Sequence, residues 1–132
     1  MEYTDMLTED ANGNGFMYGE FWSNSLSGNR IEPPEEYFDN ILQVATELQK
    51  VRNAIARPIR INSGWRSKEW NKAVGGSLNS RHLQGLASDI RVYIPNDQLL
   101  VYLGRYTGFN GFGISNSFIH CDIRSLMTFW YY

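Results

Sequence analysis

"SRHLQGLASDI", residues 80–90, places His82 and Asp89 seven positions apart, with Gly85 between them. Taken alone, it is a turn that happens to carry a histidine and an aspartate, or it is half of a metal site. Its second part continues as "ASDIRVYI" (87–94), which has the apolar, β-branched character of a strand. The chain has two histidines in all. The other, His120, lies in "SFIHCDIR" (117–124), a second strand-like run in which Asp122 follows two positions later. Residues i and i+2 of a strand share a face, so Asp122 projects with His120, and Cys121 points the other way as a buried apolar filler.

The elements flanking these two runs follow from spacing. Pro33 and Pro34 precede a helix from about residue 35 to about 55, with Glu35 and Glu36 at its positive end. Its apolar stripe is Phe38, Ile41, Leu42, Ala45, Leu48 and Val51, and Pro58 stops it. "PIRINSGW" (58–65) alternates as a short strand, and "RSKEWNKAVGG" (66–76) is a helical turn halted by Gly75 and Gly76. "PND" opens a helix at about residue 97, and "GFNGFGIS" turns into the last strand. The order helix, strand, helix, strand, helix, strand predicts an α+β fold: one small domain with helices packed on an antiparallel sheet. Residues 1–14, ending in "DANGNG", read as a flexible arm, and residues 15–132 as the domain. The aromatic tail "MTFWYY" (127–132) either closes the core or docks on a partner.

Composition narrows the function classes. The chain is 42% hydrophobic with net charge −2, so it buries a core and offers no basic footprint for nucleic acid. No apolar run approaches the ~20 residues that span a bilayer. The acidic start "MEYTDMLTED" is unlike a secretory signal, which predicts a chain made in a cytoplasm. A single cysteine excludes an internal disulfide framework.

Zinc takes imidazole nitrogen and carboxylate oxygen, and a catalytic site combines three protein ligands with one open position. His82, Asp89 and His120 supply three such groups, two of them on strands, and place a zinc site on the sheet face. Gly85 lets the backbone turn between the first two. Arg66 and Ser80 have bland alternatives, as an exposed strand-end charge and a helix cap.

"INSGWRSKEWNKAVGGSLNSRHLQGLASDIRV" (61–92) and "GFGISNSFIHCDIR" (111–124) together resemble the zinc D-Ala-D-Ala carboxypeptidase-like family of peptidoglycan peptidases, whose metal-site core is shared with the Hedgehog signalling domain. The patterns are an S-G-Y-R-S-like segment, N-x-x-V-G-G, S-x-H-x-x-G-x-A-x-D and a late H-x-D. Trp65 stands where the family carries Tyr. With the leading helix, the likeness covers about residues 15–125.

The resemblance implies one Zn2+ on His82, Asp89 and His120, with Arg66 and Ser80 contacting a cell-wall peptide and Arg66 gripping its carboxylate. Several relatives place a catalytic carboxylate three residues before the last zinc histidine, where this chain has Ser117. Asp122 is then the expected catalytic base. The implied activity is hydrolysis of an amide bond in peptidoglycan stem peptides; the small size and the acidic start suggest a phage lysis or virion enzyme or a bacterial wall-remodelling enzyme, expected to be a monomer. The Ser117 departure keeps open an inactive zinc-containing module that binds wall peptide or a protein partner.

Overall fold

The computed structural model describes all of Met1–Tyr132. Strands β1 (Met6–Glu9) and β2 (Gly15–Met17) form a hairpin, followed by helix α1 (Phe38–Ile55) and strand β3 (Arg60–Ser63). Helix α2 (Lys68–Ala73), strand β4 (Ala87–Arg91), helix α3 (Asn96–Tyr106) and strands β5 (Gly111–Ile114), β6 (Ile119–Asp122) and β7 (Thr128–Tyr131) complete the chain. The main sheet has the order β3-β4-β6-β5-β7, antiparallel except for the last pair, in which β7 runs parallel to β5. This is the expected small α+β domain.

One face of the sheet is covered. Ile90 of β4, Phe112 of β5 and Ile119 and Cys121 of β6 pack with Ile41, Val44, Leu48 and Val51 of α1 and with Leu99 and Leu103 of α3. Helix α1 keeps the predicted stripe except that Val44, rather than Leu42, lies fully inside. Its first residues, 35–37, form a 3-10 turn. It ends at Ala56, whose left-handed φ of 51° closes the last turn ahead of Pro58.

The amino-terminal residues depart from the expected flexible arm. The Asp10 carboxylate accepts hydrogen bonds from the backbone N–H of Asn12 and Asn14, at 2.8 and 2.9 Å, and folds "DANGNG" into a hairpin turn. The Thr8 hydroxyl donates to Gln49 Oε1 at 2.8 Å and pins β1 on α1. The side-chain amide and the Asx-type turn are what the polar composition concealed. The aromatic tail forms the sheet edge β7, with Phe112 and Phe129 stacked at 5.4 Å. No helix is long and apolar enough to cross a membrane.

Candidate metal centre

The sheet register assembles the site. Asp89 of β4 pairs with His120 of β6, His120 with Gly113 of β5, and Gly113 with Trp130 of β7. Four strands thus place Asp89, His120 and Trp130 in one row on the uncovered face, and Gly113 leaves the space above it to its neighbours. The adjacent row holds Ala87, Asp122, Gly111 and Thr128.

His82 comes from outside the sheet, on the 3-10 turn Arg81–Gln84. Ser80 caps that turn by accepting from the His82 backbone N–H at 3.2 Å, and Gly85 ends it with φ +72°. The segment 63–66 carries the turn on its backbone. Arg66 N–H donates to His82 O at 3.0 Å, and the indole N–H of buried Trp65 donates to Leu83 O at 3.1 Å.

The orientation of each imidazole follows from its outer partner. His82 Nδ1 lies 2.7 Å from Gly64 O, and a carbonyl only accepts, so Nδ1 carries the proton and the Nε2 lone pair faces inward. His120 is turned the other way: Nε2 lies 2.7 Å from Asp122 Oδ2, so Nδ1 faces inward. The inward atoms converge. His82 Nε2 is 3.2 Å from Asp89 Oδ1 and 3.2 Å from His120 Nδ1, which is 2.9 Å from the same oxygen. Donors each 2.0–2.1 Å from a tetrahedral zinc would lie about 3.3 Å apart. The spacing and the donor chemistry fit a zinc ion.

Charge follows the same geometry. Burial opposes ionisation of Asp89, but hydrogen bonds with His120 and His82 outweigh it and hold the carboxyl well below its usual range. Burial lowers the His82 pKa, favouring the neutral form that a ligand requires. Burial also disfavours charge on His120, yet its bonds to Asp122 and Asp89 raise its pKa in the metal-free protein. Burial would raise the Asp122 carboxyl, but hydrogen bonds from Arg124 and His120 bring it down to about 2.

The centre opens on a cleft of about 660 Å3, lined among others by Arg66, Asn79, Ser80, Arg81, Phe118 and Tyr132. Arg66 lies there as expected, but three of its nitrogens have partners: Ser63 Oγ at 3.0 Å, Asn71 Oδ1 at 3.3 Å and Asp89 Oδ2 at 3.0 Å. Its first task is therefore to hold the free oxygen of Asp89. Ser80 is both a cleft residue and a cap. Ser117 stands on the exposed turn between β5 and β6, is not among the residues lining the cleft, and supplies no carboxylate.

Asp122 lies beside His120 on the site face, with both carboxylate oxygens engaged by neighbours. Its residue is fully buried, Oδ2 receives His120 Nε2, and Arg124 donates to both oxygens, from Nε to Oδ1 at 2.7 Å and from Nη2 to Oδ2 at 2.6 Å. A carboxylate so engaged, with its pKa near 2, is a poor acceptor for a proton from water. Strand alternation put it on the right face; only the neighbours show which way its oxygens are used. Gly64 O, Arg124 and Trp130 went unrecognised in the sequence, since a backbone carbonyl leaves no signal and the other two lie beyond the H-x-D pattern.

A family model for peptidase M15 matches residues 16–122, which takes in every strand from β3 to β6 and all three converging side chains. The chain belongs to the peptidase M15 family. Over 52 residues this M15 chain is 44% identical to the zinc D-Ala-D-Ala carboxypeptidase of Streptomyces albus G. That match takes in 39% of the chain and 20% of the relative, so the chain spans about a fifth of the length of the curated protein it matches.

Proposed function

We propose that the chain is a zinc-dependent peptidase that hydrolyses an amide bond in peptidoglycan stem peptides. The observation that carries this reading is the convergence of His82 Nε2, Asp89 Oδ1 and His120 Nδ1 at the mouth of a cleft, in an M15 chain. These three atoms would hold the ion. Zinc in that position supplies Lewis acidity, polarising a carbonyl and acidifying water.

The remaining roles belong to the protein. Gly64 O and Asp122 hold the two imidazoles in the required tautomers, and Arg66 holds the outer oxygen of Asp89. A guanidinium carries five N–H groups, so Arg66 keeps two for the carboxylate of a bound peptide. The Ser80 hydroxyl, accepting from His82 N–H, still has its own proton to donate to a peptide carbonyl. The relative's name supports zinc and cleavage of a D-Ala-D-Ala-type bond. The setting we attach to this reading is the bacterial wall, with a phage lysis or virion enzyme as its source.

One observation favours a second reading. Both carboxylates lining the cleft are engaged, Asp89 by the histidines and Arg66 and Asp122 by His120 and Arg124, which leaves no free side-chain base there. A zinc-containing module that binds wall peptide without cutting it would look the same. Mass spectrometry of peptidoglycan fragments, incubated with the zinc-loaded chain with and without chelator, separates the two. A peptidase releases chelator-sensitive products whose masses name the bond; stoichiometric zinc with no new fragment supports the binding module.

A further inference from the structure

Arg124 lies four residues beyond His120 and touches none of the three converging atoms, yet its surroundings are built around it. Its guanidinium bonds both oxygens of buried Asp122 and lies 5.0 Å from the centre of the Trp130 ring, a cation–π distance. Asp122 and Trp130 are in turn the outer neighbours of His120: the first bonds Nε2, and the second packs with its ring centroid 5.1 Å from the imidazole.

Two glycines make this assembly possible. Gly111 sits opposite Asp122 in the register, and a Cβ there would overlap the Asp122 carboxylate and the Arg124 guanidinium. Gly113 sits opposite both His120 and Trp130, and a Cβ there would overlap the indole. The sequence "GFG" (111–113) therefore leaves a notch on the site face while Phe112 fills the core on the other.

We propose that Arg124 is a positioning residue of the metal centre, acting on His120 through Asp122, and that Gly111 lacks a side chain to admit it while Gly113 admits the Trp130 ring on which it rests. The inference rests on the zinc reading of the site. The physical chain is short. An ionised carboxylate only accepts, so a fixed Asp122 obliges His120 to carry its proton on Nε2 and to present Nδ1 to the ion. Asp122 stays fixed because a planar guanidinium spans both its oxygens. Arg81 makes only a looser ion pair with Asp122, its Nε 3.8 Å from Oδ1 and beyond hydrogen-bond reach.

The test has two readouts, neither of which is activity. The first is zinc affinity, measured by competition with a chromophoric chelator. The second is the imidazole 15N spectrum of the metal-free protein at alkaline pH, where both rings are neutral and the protonated nitrogen is identified directly. Wild type should show His120 as a single Nε2–H tautomer. Arg124→Ala should weaken zinc about 10–100-fold, the loss usual for outer partners of a ligand, and average the two His120 tautomers. Arg124→Lys should fall between, because one ammonium cannot span two oxygens. Gly111→Ala should reproduce Arg124→Ala although Arg124 is intact. An unchanged tautomer in Arg124→Ala, or zinc affinity within about twofold of wild type, overturns the proposal. Should Arg124→Ala not fold, Arg124→Lys and Gly111→Ala are judged by the same two criteria. A wild-type chain that takes up no zinc would overturn the zinc reading instead, and the spectra would still decide whether Arg124 holds His120.

Discussion

Asp122 is bonded by His120 and Arg124, an arrangement suited to a carboxylate that holds rather than reacts. If its task is to orient His120, Asp122→Asn should weaken zinc and slow hydrolysis together, each about 10–100-fold, and excess zinc should restore part of the rate. A proton-accepting role would instead cost kcat with zinc affinity intact, so titrating zinc into the variant during an activity assay distinguishes them. The same side chain makes a prediction for the metal-free protein. Its folded pKa of about 2 lies below the ordinary 3.8, so the ionised form is favoured by folding. That stabilisation is complete above about pH 4 and is lost as pH falls toward 2. The difference in urea unfolding free energy between wild type and Asp122→Asn should therefore shrink by about 2 kcal/mol between pH 5 and pH 2. A pH-independent difference would show that the carboxylate is not held in its ionised form.

At the scale of elements, the connection from β3 to β4, which carries α2 and the 3-10 turn, does the delicate work, and its two left-handed glycines differ in what surrounds them. Gly75 has φ +74° and open space about it, whereas Gly85 has φ +72° and would bring a Cβ to 2.8 Å from Ile41 Cγ1. Gly75→Ala should cost about 1–2 kcal/mol, the left-handed penalty alone. Gly85→Ala should cost more, about 2–4 kcal/mol by adding a core clash, and should also weaken zinc, because Gly85 ends the turn that carries His82. Denaturant melts of the metal-free variants and chelator competition measure the two effects. Element types were largely legible here: α1, α3 and the strands through 61, 89 and 120 lie where periodicity and turn residues put them. The β1–β2 hairpin was not legible, because its order comes from Asp10 folding over its own backbone and from Gln49 and Thr8 meeting across 41 positions.

For the molecule as a whole, an ion held by His82, Asp89 and His120 would tie the 3-10 turn to β4 and β6. Zinc bound only to the folded state should raise stability by about 4 kcal/mol when free zinc exceeds Kd a thousandfold. Removing it with chelator should lower Tm reversibly, and His82→Ala with His120→Ala should abolish both the bound zinc and the Tm response. Full zinc content in that double variant would sink the assignment of the site. What the sequence by itself determined was the inventory and its alternation. Two histidines and two aspartates were in view, and strand alternation put His120 and Asp122 on one face, because the side-chain period of a strand is two; pairing of β4 with β6 brings Asp89 beside them. Tertiary structure alone decided how those groups are used. Whether Asp122 faces water or an imidazole depends on Arg124 and on the missing side chain of Gly111. Whether Arg66 greets a substrate or steadies Asp89 depends on Ser63, Asn71 and Asp89 meeting around it. Such choices are made by partners brought together across strand pairing, and local spacing carries no record of them.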